Sequence, residues 1–132
     1  MSWANFETSS GSKFGLIPQT SVGSVDDRAA RKQCTVVFGH GWNIASFDDH
    51  TQLDEVRSFL TNNGASGSVW IEKSESVFPE NSDKDNCAEL NEGQLRAKSC
   101  LEISENGIVC RYYNDQFIIT KQVNTHRFAV NF

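Results

Sequence analysis

The sequence predicts an α+β domain of two helices with antiparallel sheets, stapled by disulfides and carrying an extra β-hairpin at its C-terminus. Three features point there. Four cysteines, Cys34, Cys87, Cys100 and Cys110, are spread so that three fall in the last third. An apolar stripe at helical spacing lies in the middle, and the C-terminal third alternates apolar and polar residues around turn dipeptides. An even cysteine count with no C-x-x-C and no Cys/His cluster favours two disulfides over a zinc site or a catalytic thiol. The alternative is four buried free thiols.

With 132 residues, 38% hydrophobic and 11% aromatic content, the chain can bury one modest core. Its net charge is −5, from 12 Lys/Arg against 17 Asp/Glu, and the basic residues are scattered. Nucleic acid and anionic membranes therefore lack their electrostatic footprint. No segment approaches the roughly 18 apolar residues of a membrane span, which excludes membrane insertion by a helix. Met1 to Ser12 holds no signal-like apolar stretch. Paired cysteines imply an extracellular or cell-surface protein whose signal has been removed and Met1 added; reduced thiols imply a small intracellular α+β protein, an enzyme or an assembly subunit.

Residues 1–12 are Ser-rich and patternless, and read as a flexible arm that orders only by pairing with something. Residues 13–112 form the domain and 113–132 a C-terminal strand extension. Lys13 to Ile17 reads as a first strand. Asp26 and Asp27 cap a short helix through Arg28, Ala29, Ala30 and Arg31 to Cys34. Thr51 with Asp54 approximates a capping box, Leu53, Val56, Phe59 and Leu60 make one apolar stripe, and Asn62, Asn63 and Gly64 stop that helix. Ser68 to Glu72 reads as a strand with Val69 and Ile71 on one face and Trp70 on the other. The polar segment Lys73 to Asn86 is longer than the usual connection and marks a candidate functional loop.

Asn106-Gly107 is the preferred type I′ hairpin dipeptide. It sets Ile103 opposite Cys110, Leu101 opposite Tyr112, and Glu102 opposite Arg111 as a cross-strand ion pair. Turns at Asn114-Asp115 and Asn124-Thr125 extend the register over strands 116–121 and 126–132, so that Phe117, Ile119, Phe128, Val130 and Phe132 share the buried face. Cys100 then faces away from Cys110, and the two cannot bond. Two pairings remain open: Cys34 to Cys110 with Cys87 to Cys100, or Cys34 to Cys100 with Cys87 to Cys110. The first is preferred, because a cysteine on the inner sheet face suits one at the end of a core helix. The extra strands offer a route to homo-oligomers by edge pairing.

Several segments resemble a family. Ala30 four residues before Cys34, the small-residue turn near Gly39 and Gly41, and Ile44-Ala45-Ser46 leading into a second helix resemble the first half of a C-type lectin-like domain. Val69-Trp70-Ile71 resembles the family's W-I-G-L strand, with Glu72 where glycine is usual. Cys87-Ala88-Glu89-Leu90-Asn91 resembles its C-A-E-L-N segment, and Cys100 and Cys110 match its last two cysteines in order. The resemblance covers Lys13 to Tyr112 and implies the Cys34 to Cys110 and Cys87 to Cys100 pairing.

The departures from that pattern bear on function. Calcium-dependent sugar-binding members carry E-P-N or Q-P-D in a long loop and W-N-D just before the third cysteine. Here Phe78-Pro79-Glu80 and Leu95-Arg96-Ala97 stand in those places. Phe78, Arg96 and Ala97 remove oxygen donors, and Arg96 adds positive charge, so the resemblance implies loss of the usual calcium and sugar site. A residual calcium site would draw on Glu80, Asn81, Asp83 and Asp85, with Glu89 and Glu92, although Asn86 stands where such a loop wants glycine.

An enzyme reading finds no support. Val36 to Gly41 superficially resembles the His-Gly segment of α/β hydrolases, but Gly64-Ala65-Ser66-Gly67-Ser68 is not a nucleophile elbow. Nothing in the sequence brings His40, His50 and His126 together. The expectation is a non-catalytic extracellular module with no cofactor, binding a protein or glycan. Its candidate contacts are Trp70, Phe78, Glu80, Asp83, Asp85, Arg96, Arg111 and Tyr113, with Trp70 alternatively structural.

Overall fold

A computed structural model describes residues 4–63, 67–74, 77 and 86–113. After strands β1 (Ala4–Glu7) and β2 (Lys13–Ile17) comes a single helical turn, α1 (Gln19–Val22). Helix α2 (Asp27–Phe38) begins where the Asp26 carboxylate accepts the amide of Ala29 at 3.0 Å, satisfying one of the free N–H groups of the first turn. It runs a turn beyond Cys34 and ends at Gly39, whose φ of 108° suits glycine. Strand β3 (Trp42–Ile44) leads to helix α3 (His50–Asn62). The cap of α3 is Asp49, which accepts from the amide of Gln52 at 2.9 Å, and not the expected Thr51. Thr51 already lies within the first turn, where a hydroxyl has no free N–H ahead of it to cap.

The remaining strands among the described residues are β4 (Ser68–Ile71), β5 (Asn86–Asn91), β6 (Gln94–Ser99) and β7 (Gly107–Tyr112). They form one sheet in the order β1-β2-β7-β4-β5-β6, with β3 also on β7. Pairing is antiparallel except between β4 and β7, where Val69 and Trp70 face Gly107 and Ile108 in parallel. Period-two alternation therefore serves two cores. Val69, Ile71, Leu16 and Val109 face the α3 stripe of Leu53, Val56, Phe59 and Leu60. Trp70, Ile17, Ile108 and Cys110 face Ala30 and Cys34 of α2.

Residues 4–12 are not a free arm. Ala4–Glu7 pairs with β2, and the ring of Phe6 stacks on Phe59 at 5.0 Å between centroids. Pairing with β2 supplies the partner that the Ser-rich composition lacked.

The disulfides are Cys34–Cys110 and Cys87–Cys100, with Cα atoms 5.6 and 4.9 Å apart. Closing loops of 76 and 13 residues stabilises the fold by about 4.5 and 3 kcal/mol on the loop-entropy account. The free-thiol alternative is thus set aside. The preferred pairing holds, but the hairpin argument used to reach it does not. Residues 101–106 are a loop, β7 pairs with β2, β3 and β4, and Leu101 and Ile103 are exposed rather than buried. The expected Glu102–Arg111 pair is absent: Glu102 meets Lys98 at 3.3 Å and Arg111 meets Asp48. Asn106-Gly107 makes no turn because both residues have other work. Asn106 is buried and donates to Glu89 at 3.0 Å, while a Cβ on Gly107 would stand 2.8 Å from the carbonyl oxygen of Ile17. The turns at Asn114-Asp115 and Asn124-Thr125, strands 116–121 and 126–132, and most of the Lys73 to Asn86 segment lie outside the described residues.

Gly107→Ala forces β2 and β7 apart against a backbone oxygen. It is expected to lower stability by about 1–3 kcal/mol, read from the urea midpoint, and an unchanged midpoint would show that the close approach carries no strain.

Candidate functional site

Arg111 of β7 is placed by its neighbours β2 and β3, opposite Phe14 and Asn43 in register. Its guanidinium lies 5.4 Å from the Phe14 ring centre and 5.5 Å from that of Tyr113. One terminal nitrogen donates to the carbonyl of Ser46 at 3.0 Å, to Asp48 Oδ1 at 3.1 Å and to Gln52 Oε1 at 3.4 Å. The other donates to Asp48 Oδ2 at 3.1 Å and to Ser12 Oγ at 3.2 Å. The fork-to-fork geometry with Asp48 is the strong form of this contact. A carboxylate, a backbone carbonyl, an amide oxygen and a hydroxyl converge here, a donor set that suits a hard cation. A permanently charged side chain of the protein fills it.

Local sequence explains the convergence. Asp48 immediately precedes the Asp49 cap, and Gln52 lies one turn on, where its Oε1 also accepts from the Asp48 amide at 2.8 Å. The Arg111 hydrogen bond, more than any other influence, holds the Asp48 carboxyl below its ordinary range, against the opposing effect of burial. Burial pushes the Tyr113 phenol up, offset by its bonds to Ser46. That hydroxyl accepts from the Ser46 amide at 3.0 Å and donates to the Ile44 carbonyl at 3.1 Å. Arg111 and Tyr113, expected as contacts, are thus engaged in tying β7 to the turn before α3.

The other expected residues are dispersed. Trp70 is fully buried against Ala30 and Cys34 and is a core residue, because the strand that carries it is covered on both faces. Arg96 is exposed on the edge strand β6, opposite Glu89. Phe78, Glu80, Asn81, Asp83 and Asp85 lie outside the described residues. Glu89, part of the calcium echo, is 5% exposed and already neutralised: Lys98 stands 3.4 Å from it and Asn106 donates to it. Among the described residues, no three His, Cys, Asp or Glu side chains gather where they could hold a metal.

Sequence reasoning missed Ser12, Ser46, Asp48 and Gln52. Only the Asp48 and Gln52 spacing of four, at a helix start, could have signalled them. It also missed a half-exposed aromatic row, Phe38 on Trp42 at 4.7 Å and Trp42 beside Tyr112 at 5.7 Å. Glycine makes room for it, since a Cβ at Gly15 or Gly41 would come within 2.6 Å of Phe38 or Tyr112.

No family model and no curated protein sequence matches the chain. Solved structures do. Ovocleidin-17, a major protein of the Gallus gallus eggshell calcified layer, is 19% identical with a TM-score of 0.59, over 85% of this chain and 96% of that one. The snake venom toxin convulxin is 17% identical with a TM-score of 0.57, over 86% and 96%. Rhodocetin, in complex with the integrin α2-A domain, is 16% identical with a TM-score of 0.53, over 85% and 96%.

Arg111→Leu strands four oxygen-bearing partners, and it is expected to cost about 2–3 kcal/mol, the scale of hydrogen bonds to a charged group. Arg111→Lys recovers only part, because one ammonium cannot fork both Asp48 oxygens and still reach Gln52. The depressed Asp48 carboxyl contributes fully above about pH 4, and its contribution is lost as the pH falls through its lower folded value. Asp48→Asn therefore lowers stability at neutral pH and removes that part of the acid slope. Urea unfolding across pH checks both, and an Arg111→Leu midpoint equal to wild type would show the cluster to be idle.

Proposed function

We propose that this chain, whose fold is C-type lectin-like, is a non-catalytic recognition module that binds a protein ligand without calcium. The observation that carries the reading is Arg111. Its guanidinium fills the converging oxygens before α3, so the fold closes there without a metal ion. Two further features agree. Lys98 neutralises the buried Glu89, and Leu95, Arg96 and Ala97 present no oxygen donors from their side chains. All four cysteines are bridged, which removes thiol chemistry and fits an oxidising, extracellular setting.

A protein ligand is favoured over a glycan because rhodocetin, similar in fold, engages the integrin α2-A domain. The contacts we assign are Arg96 on exposed β6 and the polar stretch with Phe78, Glu80, Asp83 and Asp85, which enters the sheet at Asn86, opposite Ser99.

A combined protein and glycan array, probed with the domain in calcium and again in chelator, tests this. Protein hits of equal strength in both conditions are expected, weakened about tenfold by Arg96→Glu, the effect of losing roughly 1.4 kcal/mol. Hits confined to calcium, or to glycans, would overturn the reading.

A further inference from the structure

Three of the four large hydrophobic side chains exposed among the described residues are Val36, Leu101 and Ile103, with 73, 76 and 68% of their surface in water. Leu101 and Ile103 sit on the loop between β6 and β7, and this loop is not slack. Cys100 is bridged to Cys87, and the Leu101 and Glu102 amides donate to Ser99 Oγ at 3.3 Å and Ser99 O at 3.2 Å. Ser104 and Val25 exchange two backbone hydrogen bonds at 3.0 and 3.1 Å, and Lys98 holds Glu102. Ordering is thus complete before any partner arrives, which lowers the cost of association.

The Val25–Ser104 bridge and a 3.4 Å bond from the Asp27 amide to the Cys100 carbonyl set this loop at the N-terminal end of α2. From there the solvent side of the helix carries Arg28, Lys32 and Val36, each four residues after the last and all exposed. The stripe spans about 12 Å at 1.5 Å per residue. Arg28 and Lys32 make no ion pair among the described residues. At the loop Glu102, which also meets Lys98, lies between Leu101 and Ile103 and Glu105 follows them, while along the helix the surface is basic and then aliphatic.

We infer that this surface is self-complementary and pairs two copies of the chain about a two-fold axis. The loop of one copy lies on the α2 stripe of the other, with Leu101 and Ile103 against Val36 and Glu102 and Glu105 against Arg28 and Lys32. A two-fold contact of this kind is satisfied twice and closes on itself. Superposing loop on loop would instead bring the glutamates together, and like charges in an interface are costly.

Sedimentation equilibrium of the full chain tests the pairing. Wild type is expected to show a monomer–dimer equilibrium, weakened at least tenfold by Leu101→Asp. A chain with Arg28→Glu and Lys32→Glu, and another with Glu102→Lys and Glu105→Lys, should each be monomeric where wild type is dimeric. Mixed in equal amounts they should form a heterodimer, because one of its two contacts is then the wild-type pairing and the other is reversed on both sides, so both join opposite charges. Circular dichroism and intact disulfides confirm that each variant is folded. A wild type that stays monomeric, a dimer unaffected by Leu101→Asp and so formed elsewhere, such as beyond Tyr113, or a mixture that does not associate would each overturn the inference.

Discussion

The guanidinium of Arg111 joins parts of the chain that are remote in sequence. Ser12 lies 99 residues from it, Ser46 65, Asp48 63 and Gln52 59. Its five donor contacts fix the β1–β2 turn, the segment before α3 and the first turn of that helix against β7. Arginine suits the task because its charge does not titrate away and its planar fork matches a carboxylate. A calcium ion in the same place would tie the segments together only while bound. The arginine does so at any calcium concentration.

On the other face of the sheet, the Cys34–Cys110 bridge pins α2 to the same strand β7. One central strand thus receives a covalent tie from one layer and an ionic tie from the other, and it also pairs with β2, β3 and β4. The second bridge, Cys87–Cys100, instead secures the β5–β6 edge and the loop that carries Leu101 and Ile103. Among the described residues, β7 and the β5–β6 edge are therefore held in place by bonds that do not depend on a ligand.

Much of the fold was legible where one local period governs. The stripe Leu53, Val56, Phe59 and Leu60 repeats at helical spacing and is buried as expected. Trp70 alternates with Val69 and Ile71 and faces the opposite core. What failed was reading long-range partners from local signals. Asn106-Gly107 encodes tolerance of a tight turn, yet the missing Cβ serves a close approach to Ile17 and the amide serves Glu89. The hairpin register built on that dipeptide gave the right disulfides for the wrong reason, whereas the resemblance of Cys87 to Asn91 and of Val69 to Ile71 pointed to the same pairing independently. Nothing local to Arg111 or Tyr113 signals which distant turn folds over it. Ser12 and Ser46 carry no motif at all, and only the folded chain brings them, with Asp48, to one guanidinium.

Arg96 and Ala97 carry no side-chain oxygen, Lys98 stands beside the buried Glu89, and Arg111 pairs with Asp48. On the proposed calcium-independent reading the domain gains nothing from calcium in stability, whereas any ion bound by the folded state alone would raise it by mass action. The most direct measurement is the thermal midpoint of the wild-type chain in excess chelator and in millimolar calcium. Equal midpoints are predicted, and a midpoint that rises with calcium would contradict the account.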